Sequence, residues 1–260
     1  MIDPVNDFAG RSGGALVVGG TGGIGVAVVR MLARRGSNVA LTYRSRKDAA
    51  ESVVASARQW GVRSSAYELD LGFPEVAADV VAAVAQELGG LHTLVYAAGP
   101  HVPLSRLAAV APQTMAAHLA ADAAGFFAVV QPALPHLRHA QGAIVAVTAA
   151  TTTRHAARVG LSAVPKAAVE ALVRGLAVEE GRFGVRANAV GPGLLTDGTA
   201  GRLMSAGDLS TDDLERGRAR IPLARFGTAS DIAEAICFLA SDRAAFVTGQ
   251  KLDVDGGYGA

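Results

Sequence analysis

Short apolar runs rich in valine, leucine and alanine alternate with longer stretches whose apolar residues recur at helical spacing. ALVVGG (Ala15–Gly20) predicts a buried strand, and Ile24–Gly36 after it has helical spacing and a terminal glycine. Further strands are predicted at NVALTY, SSAYELDL, HTLVYAAG, GAIVAVTAA, RANAVGPG and QKLDVDGG. Further helices are predicted at KDAAESVVASARQWG and around Pro74–Leu88, Pro112–His139, Pro165–Gly181 and Ser230–Ser241. The alternation predicts a single α/β domain over residues 1–260, of Rossmann type, with a doubly wound parallel sheet and helices on both faces.

The segment Leu194–Pro222 departs from this alternation and is rich in Gly, Ser, Asp and Arg. Long irregular segments in compact domains are usually functional or disordered. Ligands bind at the carboxyl edge of such sheets. We therefore expect residues 194–222 to form a substrate lid, and a loop without function is the alternative.

Composition and charge narrow the class of protein. The 260 residues carry 24 Lys+Arg against 23 Asp+Glu, which provides no basic surface for nucleic acid or an anionic membrane. A single cysteine excludes an internal disulfide framework and a thiolate metal site. No apolar run approaches the roughly 20 residues of a membrane helix, and MIDPVNDFAGRSGG lacks an apolar signal core. We expect a cytoplasmic protein that binds a small molecule, with no metal, nucleic-acid or membrane partner.

A glycine-rich turn joins the first predicted strand to the first predicted helix. Gly19, Gly23 and Gly25 form a GxxxGxG pattern, with Thr21 and Ile24 in the same turn. Glycines let a pyrophosphate approach the backbone, and the following helix presents free N–H groups and a positive dipole end. In this strand–turn–helix context we expect a dinucleotide, and a merely structural turn is the alternative.

The next strand ends in TYRSR and indicates which dinucleotide binds. A carboxylate there would accept the ribose 2′-hydroxyl of NAD, but the sequence has Arg44, Ser45 and Arg46 instead. Two guanidinium groups and a hydroxyl suit a phosphate dianion. We expect NADPH, and a solvated basic turn is the alternative.

Taken with motifs further along, the chain resembles a short-chain dehydrogenase/reductase over nearly its whole length. The matching motifs are the GxxxGxG turn, Asp70-Leu71, AAG (Ala97–Gly99), Lys166, Asn188, Pro192-Gly193 and the tail ARFGTASDIAEAICFLASDRAAFVTGQKLDVDGGY. The resemblance implies NAD(P)(H)-dependent redox chemistry and a homotetramer. It implies that Asp70 and Leu71 hold the adenine. It also places Ala98, Gly99, Lys166, Pro192 and Gly193 against the cofactor.

The chain departs from this family at the catalytic positions. Ser162 stands four residues before Lys166, where the family has its proton-donating tyrosine. Ala149 takes the place of the family's serine, and Asp122 that of its asparagine. Serine is a much weaker acid than a phenol and too short to reach the same point. Loss of a positioned general acid costs about 10²–10⁴ in rate, so ordinary ketone reduction is disfavoured.

Reduction of a conjugated C=C in an enoyl or dienoyl thioester demands less of that acid, because hydride addition gives a delocalised enolate. We expect four residues to catalyse this reduction: Lys166, Asp122, Ser162 and Thr148. The arrangement resembles the 2,4-dienoyl-CoA reductases, which implies an acyl-CoA or acyl-carrier-protein substrate. Two alternatives stay open for the protein: a 3-oxoacyl or other carbonyl reductase with a different proton donor, and a non-catalytic NADP(H)-binding protein. Ser162 is alternatively a helix-entry residue, and Asp122 an exposed or capping one.

Overall fold

The computed structural model describes residues 6–100, 102–196 and 211–260. A seven-stranded sheet runs through them in the order β3-β2-β1-β4-β5-β6-β7, and every neighbouring pair is parallel. The strands are β1 (Gly14–Val18), β2 (Val39–Tyr43), β3 (Ser64–Glu68), β4 (Leu91–Tyr96), β5 (Ala143–Val147), β6 (Arg186–Pro192) and β7 (Lys251–Val254). The predicted doubly wound parallel sheet is confirmed.

Helices cover both faces of the sheet. They are α1 (Gly23–Arg34), α2 (Lys47–Arg58), α3 (Ala77–Leu88), α4 (Pro112–Leu119), α5 (Gly125–Ala140), α6 (Gly160–Glu180), α7 (Thr211–Ala219) and α8 (Ala229–Ala240). Buried side chains of α1, α2 and α8 form one apolar core, and those of α3, α5 and α6 form a second. Because side chains alternate along a strand, Val95 of β4 enters the first core and its neighbours Leu94 and Tyr96 enter the second.

Two helices differ from their predicted bounds. The helix predicted over Pro112–His139 is interrupted by a π-helical turn, Ala120–Ala124, which separates α4 from α5. The helix predicted from Pro165 begins at Gly160 and continues through that proline. Proline removes a single backbone N–H near the start of a long helix, and the buried residues around it keep the helix intact.

Residues Pro112–Ala140 have the length and composition of a membrane-crossing helix, with a mean hydropathy of 1.2 over the relevant window. Thr, Gln, His and Asp interrupt its apolar runs, so the sequence alone did not single it out. Within the fold 39% of that window is buried, and α5 packs on β4 and α3. A single stretch of this kind in the described residues is weak evidence for a membrane span.

Candidate active site

The glycine turn after β1 has the close backbone approaches that exclude side chains. Gly19 has a φ of +80°, and a Cβ there would lie 2.8 Å from Ala98 Cα. A Cβ on Gly25 would lie 2.3 Å from the Gly19 carbonyl oxygen. Helix α1 begins at Gly23 with no side-chain cap, so its first N–H groups and positive dipole end face the turn. This geometry fits a pyrophosphate over the turn that contains Thr21 and Ile24.

The basic segment after β2 lies beside the glycine turn. Arg44, Ser45 and Arg46 are exposed, and the Arg46 guanidinium donates a hydrogen bond to the Thr21 carbonyl. A cavity of about 290 Å³ is lined by Ser45, Arg46 and the first residues of α2. The structure thus brings the residues predicted for the 2′-phosphate next to those predicted for the pyrophosphate.

Three further predicted cofactor segments follow β3, β4 and β6 at the same carboxyl edge of the sheet. Asp70 lies after β3 with Leu71, and its carboxylate accepts the Gly72 N–H at 2.9 Å. Pro192 ends β6, and a Cβ on the following Gly193 would lie 2.7 Å from Asp255 Cα. Ala98 and Gly99, after β4, adjoin the charged centre of the site.

That centre is a buried ion pair between two predicted catalytic residues. Lys166 Nζ, on α6, donates to Asp122 Oδ1 at 2.7 Å, and also to the Ala98 carbonyl at 3.3 Å. The Asp122 side chain is 1% exposed and that of Lys166 is 12% exposed. A Cβ on Gly99 would lie 3.3 Å from both charged atoms, so glycine leaves the pair open at that point.

Only one of the two carboxylate oxygens of Asp122 bonds to Lys166. Its Oδ2 is buried and has no hydrogen-bond partner within the described part of the chain. Buried polar atoms of this kind are normally satisfied by ordered water or ligand. The charged centre therefore offers an acceptor suited to a water molecule.

The two predicted hydroxyl groups differ in their availability. Ser162 lies in the first turn of α6, four residues before Lys166 and hence on the same helix face. Its side chain is half-buried, and no hydrogen bond to its hydroxyl is formed by any described residue. The Thr148 hydroxyl is buried and donates to the Val190 carbonyl at 3.3 Å. Of the two, Ser162 has the hydroxyl free for a substrate.

Ser162 occupies the sequence position of the missing tyrosine, and Tyr43, Tyr67 and Tyr258 lie elsewhere in the chain. Tyr67 donates to the Glu87 carboxylate, away from the ion pair, and Tyr43 is buried at the end of β2. The tail brings Tyr258 against the β5–α6 loop, where Arg154 Nη1 donates to the Tyr258 carbonyl at 2.7 Å.

Tyr96 is the residue that sequence reasoning missed. It is the last residue of β4, and the centre of its ring lies 5.9 Å from Lys166 Nζ. Its hydroxyl is directed to the π-helical turn that carries Asp122. Burial, together with the nearby Asp122 carboxylate, raises the Tyr96 pKa above its ordinary value. Its position directly before Ala97–Gly99 was the available signal.

A polar cluster that the sequence did not indicate holds the β5–α6 loop. Lys251 pairs with Asp253 at 2.9 Å and with Glu170 of α6 at 3.5 Å. Its ammonium donates to the Thr152 hydroxyl, and the Thr153 hydroxyl donates to Asp253 at 2.6 Å. The cluster ties the loop after Ala149 to α6 and β7. The described residues contain no group of three or more His, Cys, Asp or Glu placed to hold a metal ion.

Residues 18–259 match the enoyl-(acyl carrier protein) reductase family. The chain is 33% identical over 244 residues to 3-oxoacyl-(acyl-carrier-protein) reductase FabG of Staphylococcus epidermidis, covering 94% of this chain and 97% of the relative.

Solved structures agree with these relatives. A short-chain type dehydrogenase/reductase from Mycobacterium ulcerans is 27% identical with a TM-score of 0.89, covering 97% of this chain and 91% of that one. A short-chain dehydrogenase from Burkholderia cenocepacia in complex with NADP is 31% identical with a TM-score of 0.87, covering 98% and 100%. With this sheet order, glycine turn and lysine, the chain belongs to the short-chain dehydrogenase/reductase superfamily of oxidoreductases.

Proposed function

We propose that the protein is an NADPH-dependent reductase that saturates a conjugated C=C in an enoyl or dienoyl thioester of CoA or carrier protein. The observation that carries this is the pairing of Lys166 with a buried Asp122 in a site where Ser162 stands in place of the usual tyrosine. Ketone reduction needs a strong acid at the alkoxide oxygen. An enolate needs hydrogen-bond donors at the thioester oxygen and a proton on carbon, which are lesser demands.

Three residues supply those functions. The Lys166 ammonium has three N–H groups, of which two are directed to Asp122 and Ala98, leaving one for the cofactor ribose. The Ser162 hydroxyl, on the same face of α6, donates to the thioester oxygen. Asp122 Oδ2 accepts a hydrogen bond from the water that delivers the proton to carbon, and a proton from solvent converts the remaining hydroxide back to water. NADPH, when bound, supplies the hydride.

The choice of NADPH rests on the segment Arg44–Arg46 beside the glycine turn. The double variant Arg44→Ala/Arg46→Ala tests it by the dissociation constants of NADPH and NADH, measured by fluorescence titration. Charge-assisted hydrogen bonds are worth about 1.5–3 kcal/mol each. We expect the NADPH affinity to fall at least about tenfold and NADH affinity to change little. Equal losses for both cofactors would contradict the assignment.

A second candidate is a 3-oxoacyl thioester reductase, which the 33% identity to 3-oxoacyl-(acyl-carrier-protein) reductase favours. NADPH oxidation with a 2,4-dienoyl-CoA, a 2-enoyl-CoA and a 3-oxoacyl-CoA separates the two. Lys166→Met and Asp122→Ala should abolish turnover, while Arg174→Met, which removes an exposed cation from the same helix, should retain it.

Each outcome of that assay favours one of three candidates. Turnover of the unsaturated substrates supports the first candidate. Turnover of the oxo substrate alone supports the second and requires another proton donor. Tight NADPH binding without turnover on any of the three favours a non-catalytic NADP(H)-binding protein.

Three further features belong to the same proposal. The family resemblance supports a homotetramer, which sedimentation velocity tests directly, and a cytoplasmic location. We also propose that residues 194–222 form the substrate lid. The structure describes only part of this segment, namely Leu194–Thr196, α7 and Arg220–Pro222. Residues 197–210 lie outside the described part of the chain.

A further inference from the structure

The π-helical turn Ala120–Ala124 changes which carbonyl each N–H reaches. In an α-helix the Gly125 N–H would bond the Ala121 carbonyl, four residues earlier. Here it bonds the carbonyls of Ala120 and Asp122 instead. The Ala121 carbonyl therefore loses its α-helical donor at the residue that precedes Asp122.

The Tyr96 hydroxyl lies at that carbonyl. Its Oη is 3.3 Å from the Ala121 carbonyl oxygen and 3.4 Å from that of Asp122, so one proton is shared between two acceptors. The residue is 0% exposed, and its ring packs edge-on against Phe126 at 5.3 Å. Within the described chain these two carbonyls are the acceptors of this phenol.

The absence of a side chain at Gly125 leaves room for the Tyr96 hydroxyl. A Cβ on Gly125 would lie 3.1 Å from Tyr96 Oη and 3.4 Å from Leu71 Cβ, and the tyrosine is fully buried. Glycine in a helix costs about 1 kcal/mol relative to alanine. The space for the tyrosine hydroxyl is the packing reason for a glycine here.

The turn also sets the direction of Asp122. An inserted residue rotates the side chains that follow relative to those before, and π-helical turns occur frequently at functional sites. Asp122 lies at the centre of this turn with its carboxylate 2.7 Å from Lys166 Nζ. We propose that Tyr96 is a positioning residue whose hydroxyl holds the π-helical turn in the register that places Asp122 against Lys166. The inference rests on the proposed function, in which that pair serves the reaction.

Hydrogen–deuterium exchange tests, without any substrate, whether the Tyr96 hydroxyl stabilises the π-helical turn. Tyr96→Phe removes one oxygen and keeps the ring. Tyr67→Phe is the matched control, because it removes the hydroxyl that binds Glu87 and leaves the π-helical turn untouched. We expect peptides spanning residues 120–126 to exchange about fivefold faster in Tyr96→Phe, the ordinary worth of one hydrogen bond, and to be unchanged in Tyr67→Phe. Unchanged exchange in both variants would overturn the proposal.

Gly125→Ala approaches the same contact from the other side. Its added methyl displaces the hydroxyl, so it should speed exchange in the same peptides while Tyr96 itself is intact. If Tyr96→Phe does not fold, this variant decides the question. Exchange that rises throughout the β-sheet in Gly125→Ala, and not locally, would contradict the assignment.

Kinetics test the positioning role. In the wild-type background Tyr96→Phe should lower kcat about fivefold and leave the KM for NADPH within twofold. In the Asp122→Asn background the same change should have less than a twofold effect, since the group it positions is gone. Equal losses in both backgrounds would show a merely structural tyrosine. If the wild type turns over no thioester, the proposed function fails while the exchange experiment still decides the role of Tyr96.

Discussion

Removing Asp122 should destabilise the protein more than removing both members of its ion pair. In Asp122→Ala the Lys166 ammonium, whose side chain is 12% exposed, keeps the Ala98 carbonyl at 3.3 Å as its partner. Loss of one partner from a buried pair costs about 3–5 kcal/mol, because the remaining charge is buried without compensation. The residual exposure of Lys166 places this variant near the lower limit, about 3 kcal/mol.

The double variant Asp122→Leu/Lys166→Met removes both charges and restores apolar volume. Replacing a buried ion pair by apolar residues is often neutral or stabilising. We therefore expect the double variant to be about as stable as the wild type and clearly more stable than Asp122→Ala. Asp122→Asn should lie between them, since its amide oxygen still accepts from Lys166.

Guanidinium unfolding of the cofactor-free proteins, followed by circular dichroism, measures these differences. The slope of the free energy against denaturant should be unchanged, so that the midpoints report stability alone. A loss below about 1 kcal/mol for Asp122→Ala would refute the reasoning, as would a double variant no more stable than the single one. Either result would mean that water screens the pair.

Three further predictions concern the scaffold. Thr228→Ala breaks the capping box in which the Thr228 hydroxyl accepts the Asp231 N–H at 3.2 Å, and guanidinium unfolding should show a loss of about 1 kcal/mol. Burial lowers the pKa of His92 to about 3, so the folded state favours the neutral ring. Stability should therefore fall as the pH drops from about 6.5 towards 3, and His92→Asn should reduce that slope in unfolding experiments across this range. A Cβ on Gly142 would lie 2.5 Å from the backbone carbonyl oxygen of His92, whereas one on Gly175 meets nothing within 4 Å. Thermal melts should show severe destabilisation for Gly142→Ala and a gain of up to about 1 kcal/mol for Gly175→Ala.

The fold was predictable because its signals are local. β-Branched runs, helical spacing and the glycine turn each depend on a few consecutive residues, and together they indicate a parallel doubly wound sheet. The start of α6 was predicted five residues late, because Pro165 is usually a helix-entry residue and here packs inside the helix. In this case tertiary packing overrides the local preference.

The candidate site was predictable only in part, because its contacts are non-local. The family register places Asp122 and Lys166 in one site, and the structure brings their charged atoms together across 44 residues. The π-helical turn leaves no mark in the apolar pattern of Pro112–His139, so the helix was predicted as continuous. The Thr148 hydroxyl bonds the Val190 carbonyl, an acceptor 42 residues away that no spacing rule indicates.

Two of the three departures from the family pattern, Asp122 and Ser162, favour the same chemistry. A carboxylate at 2.7 Å largely compensates the charge of Lys166, so this lysine stabilises a localised oxyanion less than an unpaired ammonium would. Ser162 likewise offers a hydrogen bond and no strong acid. Both changes penalise an alkoxide, whose charge resides on one oxygen and must be quenched at once. They penalise an enolate less, because its charge is delocalised and its proton goes to carbon.

The aspartate therefore matters as much as the missing tyrosine. We expect that Ser162→Tyr alone does not produce an efficient ketone reductase. The test compares the turnover of a 3-oxoacyl-CoA by Ser162→Tyr with that by Ser162→Tyr/Asp122→Asn. Higher oxo-substrate turnover in the double variant would support this coupling, and equal turnover in the two would refute it.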